Sequence, residues 1–182
     1  MIGIAHEIDA ADIDESLRPG ESDTGHALRL ATEKGLAVAA RHPDALVIAA
    51  DTIVVVDGRI FGKPVDEADA CRMLRVLSGR THIVHTAVVV VLGGGGRVES
   101  RLESTRVTFR ELDDSEIAAY VATGEPMDKA GAYGIQGYGA TIVERVDGDY
   151  FTVMGLALRR LVALLERVGI RYHFHPLDGT PA

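Results

Sequence analysis

The chain has 182 residues, 47% of them hydrophobic, with a formal net charge of -8 and one cysteine, Cys71. That is enough apolar material for a real core, but no apolar run is long enough to span a membrane, and the net charge has the wrong sign for wrapping a nucleic-acid polymer. A lone cysteine excludes an internal disulfide, and without a signal-like opening the protein is expected to be cytoplasmic.

Residues 1–21 read as a strand followed by an acidic loop, with "IDES" and "RPGES" as turn material. Ser22 or Asp23 can cap a helix running to about Arg41, because Ala27, Leu28, Ala31, Leu36 and Ala39 roughly follow helical spacing. "ALVIAADTIVVVDGRIFGKP" predicts a strand, an Asp-Gly turn and a short second strand. "DEADACRMLRVLSG" predicts a second helix with acids in its first turn, Gly79 beyond its end and Cys71 as a small buried hydrophobe. "THIVHTAVVVVLGGGGRVESRLESTRVTFREL" holds two long strands around a glycine hairpin tip. His82 and His85, three apart, should face opposite sides of the first and serve structure. "DDSEIAAYVATG" predicts a third helix, "TIVERVDGDYFTVMG" another Asp-Gly hairpin, and "LALRRLVALLERVG" the last helix. The "HFH" near the end could chelate a metal, although a frayed tail over 171–182 is expected. Strand pairs and single helices alternate without a strict βαβ rhythm. The expected class is therefore α/β or mixed α+β: a twisted mixed sheet with flanking helices.

Some residues are costly where they stand. Asp51 lies in "VIAADTIVVV", where a carboxylate would be largely buried; it needs a partner, a metal or a substrate. Thr52 follows and should point to the opposite face. Of 19 basic residues only Lys34, Lys63 and Lys129 are lysines, compact point charges where this chain otherwise uses arginine. The hairpin could return Lys63 to the neighbourhood of Asp51, and Glu15 adds a carboxylate in the acidic loop. Carboxylates hold hard divalent cations and lysines neutralise phosphate oxygens, so this set suggests a site for phosphate and a metal. No phosphate-loop motif is present, and the four consecutive glycines lack its Lys-Ser/Thr. In "DKAGAYGIQGYGA" (128–140) small residues would let backbone approach a flat ring closely. Gln136 offers a donor and an acceptor to the edge of a pyrimidine.

"AADTIVVVDGRIFGKP", "MLRVLSGRTHIVHTAV", "VTFREL", "EIAAYVATGEPMDKAGAYGIQGYGA" and "GDYFTVMGLAL" occur in the order found in the Maf family of nucleoside triphosphate pyrophosphatases, which this chain resembles from about Glu15 to Leu165. "ADT" at 50–52 and "GIQG" at 134–137 are similar to the group acting on dTTP and UTP. The resemblance implies one Maf-like domain over 1–170, with two lobes around a central cleft as in ITPase-like proteins. It implies Asp51 as proton acceptor, Glu15, Lys34 and Lys63 around phosphates and metal, and Thr52 and Gln136 in base selection. Lys129, Gly134 and Gly137 would lie beside the nucleotide, Asp51 and Glu15 would hold Mg2+ or Mn2+, and a homodimer is implied. The same resemblance allows a nucleotide-binding regulator of septum formation with little catalysis, or a purine nucleotide substrate such as ITP. The family's opening strand and Ser-x-Ser-Pro-Arg-Arg turn have no counterpart here; weakened activity and an uncovered sheet edge are expected.

Overall fold

A computed structural model describes residues 2–94 and 96–174. Five strands form one sheet in the order β2-β1-β3-β4-β5: β1 (Leu46–Val56), β2 (Arg59–Phe61), β3 (Thr81–Leu92), β4 (Val98–Phe109) and β5 (Val143–Asp147). Every pairing is antiparallel, where a mixed sheet was expected. The reason is connectivity. A tight turn joins β1 to β2, β3 pairs with β4, its successor in the chain, and the helix after β2 returns the chain to the far side of β1 rather than beside β2. Asp57 and Gly58 both take positive φ in the first turn (50° and 70°), which suits a two-residue hairpin.

The helices begin where their caps stand. Ser22 accepts from Gly25 N and opens α1 (Asp23–Arg41); Asp66 accepts from Asp69 N and opens α2 (Glu67–Leu77). Asp113 and Glu116 form a reciprocal capping box at α3 (Asp114–Ala122). The "HFH" motif runs past the described residues, as does most of the tail.

Two further expectations fail. Residues 2–18 form neither strand nor helix; their apolar residues Ile2 and Ile4 instead pack against the edge of a core cluster. The supposed last hairpin has only its first arm. After Asp147 the chain turns at Gly148, and Asp149 caps the short helix α4 (Tyr150–Val153) by accepting from Thr152 N and Thr152 Oγ1. Asp149 is also fastened to β4, since its N–H donates to Thr105 Oγ1, which donates back to its carbonyl. These bonds turn the chain out of the sheet before a second arm can pair. The last helix, α5 (Leu158–Arg167), follows.

Burial follows the strand pleat. Odd-numbered residues of β1 such as Val47, Ile53 and Val55 pack with Ala27 and Ala31 of α1. Even-numbered residues face the other way, toward α5 at one end and toward α2 and α3 at the other. The sheet ends thus belong to two lobes, one built on α1 and α5, the other on α2 and α3. His82 and His85 obey the same pleat: His82 Nε2 shares a 2.8 Å hydrogen bond with the Tyr133 hydroxyl, and His85 Nδ1 one of 2.7 Å with Ser104 Oγ on the opposite face. Burial depresses the pKa of His82 to about 4. β2 pairs only with Val54–Val56, so from Leu46 to Ile53 the outer edge of β1 has no strand partner among the described residues.

Candidate active site

A cleft of about 420 Å³ occupies the unpartnered edge of β1 near Ala50–Ile53, between the lobes. Because it wraps around the edge, residues from both faces of the strand reach it. Asp51 enters from the α1 face and Thr52 from the other. Glu15, Lys34, Lys63, Lys129, Gly134 and Gln136 line the same space. Gly137 does not. Its φ is 65° and a Cβ there would overlap the Glu125 carboxylate, so its place is conformational.

Lys34 is the hub. Its Nζ lies 2.7 Å from Asp51 Oδ1 and 2.7 Å from Glu15 Oε1. Burial acts to lower its pKa, but the hydrogen bonds to Asp51 and Glu15 outweigh burial and raise it, so the ammonium is charged. The Asp51 side chain is only 7% exposed. Its second oxygen, Oδ2, is buried and has no hydrogen-bond partner among the described residues. Buried polar atoms are in the large majority hydrogen-bonded, so this oxygen calls for a partner. Lys63, which the hairpin could bring to the neighbourhood of Asp51, lines the same cleft; it is exposed and makes no ion pair among the described residues. Lys129 is occupied: it donates to the Glu125 carbonyl at 2.9 Å and to Asp128 Oδ1 at 2.6 Å.

The glycine-rich wall runs as short single-turn helical segments, Glu125–Asp128, Ala130–Ala132 and Gly137–Thr141, and not as an open loop. Its small residues serve close packing first. Gly131, with φ 71°, presses on Val54, and its N–H donates to the Gly62 carbonyl at 3.0 Å. A Cβ at Gly139 would overlap the Gly134 carbonyl. Glu125 holds this wall together, accepting from Tyr138 N at 2.8 Å, Gly139 N at 2.8 Å and the Tyr120 hydroxyl at 2.9 Å. Tyr120 in turn accepts from Gly134 N at 3.1 Å. Sequence reading missed Glu125 and Tyr120. The available signal was a carboxylate at a helix end just ahead of a run of tight turns full of free backbone N–H groups. Gln136, exposed at the rim, makes no side-chain hydrogen bond among the described residues.

Carboxylates from Glu15 and Asp51 converge on the Lys34 ammonium, and no group of three or more His, Cys, Asp or Glu that could hold a metal occurs among the described residues. That donor set does not suit a metal caged by protein alone. It does suit a hard cation that takes one or two carboxylates and completes its shell with water and phosphate oxygens.

Fold and site together define an α+β protein with an acid- and lysine-lined cleft on an open strand edge. Residues 1–168 match the family model described as Maf-like protein, and the chain belongs to the Maf family. It is 49% identical over 164 residues to a protein of Koribacter versatilis named dTTP/UTP pyrophosphatase, covering 90% of this chain and 83% of the relative. Proteins of the same name from Methylobacillus flagellatus (50% over 172 residues; 93% and 85% covered) and Geobacter sulfurreducens (50% over 167 residues; 92% and 87% covered) are similar to it as well.

Proposed function

We propose that this protein hydrolyses dTTP and UTP to the nucleoside monophosphate and pyrophosphate, with a divalent cation, Mg2+ or Mn2+, at Asp51 and Glu15. The observation that carries this reading is the buried, half-satisfied Asp51 carboxylate gripped by Lys34, in the same cleft as two further lysines and the base-reading candidates Thr52 and Gln136. The names of the relatives point the same way. The reading treats residues 1–170 as one domain, because the core clusters of both lobes share β1 and β3. A homodimer and a cytoplasmic location belong to the reading on family resemblance. No helix of the described residues is long and apolar enough to cross a membrane.

In this mechanism a water oxygen attacks the α-phosphorus, a new P–O bond forms, and the bond from that phosphorus to the bridging oxygen breaks. The electron pair and negative charge leave with pyrophosphate. Asp51 takes the water's proton at Oδ2, the oxygen without a hydrogen-bond partner among the described residues, while Lys34 holds Oδ1. Lys34 thereby keeps the carboxylate aimed. Lys63, exposed at the cleft and without an ion pair among the described residues, would neutralise phosphate oxygens as charge builds on the leaving group. A bound cation would supply Lewis-acid polarisation of the phosphates. Gln136 and Thr52 address the base.

Product analysis tests the proposal. Incubation with UTP, dTTP, CTP, ITP and ATP, with and without Mg2+ or Mn2+, should give monophosphate and pyrophosphate from UTP and dTTP only when metal is added. Nucleotide binding without pyrophosphate release would replace the enzyme reading with that of a regulator.

A further inference from the structure

Thr52 on β1 lies directly opposite Thr86 on β3, and their Oγ1 atoms are 2.8 Å apart. Which of the two hydroxyls donates is decided one bond further away. Thr86 Oγ1 also lies 2.7 Å from the carbonyl oxygen of Thr152 in α4, and a carbonyl can only accept. Thr86 is fully buried, so its single proton is committed to Thr152 with no water to compete. Thr52 must then spend its own proton on Thr86. What Thr52 Oγ1 offers the cleft is lone pairs alone. Gly155, at φ 98°, lies across from this oxygen, where even a Cβ would come no closer than 3.5 Å, so space remains for a ligand atom.

We propose that Thr86, which does not itself line the cleft, determines base specificity by fixing Thr52 as an acceptor. This rests on the pyrimidine triphosphate reading above. An obligate acceptor pairs with the ring N–H of a lactam pyrimidine, uracil or thymine. Cytosine presents a bare ring nitrogen at the same position; two acceptors would face each other, both unpaired and desolvated. Without the bond to Thr152, the Thr86 hydroxyl could turn round and donate, and Thr52 could then donate to cytosine. The chain Thr52–Thr86–Thr152 is thus a one-way proton order built across the sheet, and it selects keto over amino pyrimidines.

The test is the ratio of kcat/KM for UTP to that for CTP in the wild type, Thr86→Val, Thr86→Ser and Thr52→Val. Thr86→Val keeps the shape but frees the Thr52 proton; the ratio should fall tenfold or more, chiefly through KM, about 1.4 kcal/mol of discrimination. Thr86→Ser retains the proton order and should keep the wild-type ratio. Thr52→Val removes the acceptor and should lose the preference with Thr86 intact. A folded Thr86→Val with an unchanged ratio overturns the inference. If that variant does not fold, an unchanged ratio in Thr52→Val overturns it equally. Should the wild type turn over neither triphosphate, the enzyme reading fails by itself. UMP and CMP affinities by calorimetry in the same four proteins then carry the same comparison.

Discussion

Removing the Glu125 carboxylate should loosen the wall that carries Gln136 while leaving the sheet intact. Glu125 accepts three hydrogen bonds, from Tyr138 N, Gly139 N and the Tyr120 hydroxyl. Each is charge-assisted, a kind worth roughly 1.5–3 kcal/mol when well shielded. Glu125 is only partly buried, and the Tyr138 amide can turn to water, so Glu125→Ala should cost about 3 kcal/mol in all. For a chain of this size that is a fall of about 6–12 °C in Tm. KM for UTP should rise more than kcat falls, because the base wall is displaced and the Asp51 side is not. Thermal unfolding and steady-state kinetics measure both. The pH dependence supplies an independent check. Burial alone would raise the Glu125 pKa, but the backbone N–H groups of Gly139 and Tyr138 and the Tyr120 hydroxyl outweigh it, leaving the carboxyl below its ordinary value. The stabilisation is therefore complete above the ordinary glutamate pKa and disappears as pH falls through the lower folded value. The stability gap between wild type and Glu125→Gln should shrink at the acid end. A Tm within 2 °C of wild type for Glu125→Ala, with KM unchanged, would refute the anchoring role.

Lys34→Met leaves the Asp51 carboxylate buried without its cation and should cost about 3 kcal/mol in chemical unfolding, since one partner of a buried pair is removed. Adding Asp51→Asn to that variant should restore part of the loss, and a strictly additive double mutant would contradict the coupling. His82, depressed to about 4 by burial, is protonated in the unfolded chain below about pH 6.5 but not in the folded one. Stability should accordingly fall by about 3 kcal/mol between pH 6.5 and pH 4 through this group, and His82→Phe should flatten that part of the curve. Gly139→Ala places a methyl on the Gly134 carbonyl; strongly reduced nucleotide binding is expected, measured by calorimetry with UMP, where an ordinary surface glycine would tolerate the change.

What the sequence announces most clearly is local. Ser22, Asp66 and Asp113 cap helices where their side chains and the following apolar spacing require it, and Asp57-Gly58 makes the hairpin its turn chemistry demands. The second Asp-Gly pair misleads, because Asp149 downstream is a helix cap tied to Thr105, a tertiary contact invisible to a turn rule. The strand expected to open residues 1–21 does not form, because no strand among the described residues pairs with 2–18. At the site, the cost of burying Asp51 was legible from its neighbours. Which lysine answers it was not: Lys34 reaches it across 17 positions because α1 packs on the odd face of β1, while the nearer Lys63 does not pair with it. The glycine-rich segment was noticed for its composition. The reason for its glycines lies in contacts with Val54, Glu125 and its own Gly134 carbonyl, and only coordinates bring those together.

The central claim is that Asp51 accepts a proton from the attacking water. Pyrophosphate release from UTP should be followed in Asp51→Asn against wild type, with UMP affinity as a control that the cleft is intact. Loss of a positioned general base costs on the order of 10²–10⁴ in rate, so turnover should fall at least about a hundredfold while UMP still binds. Equal turnover by the two proteins would contradict the account.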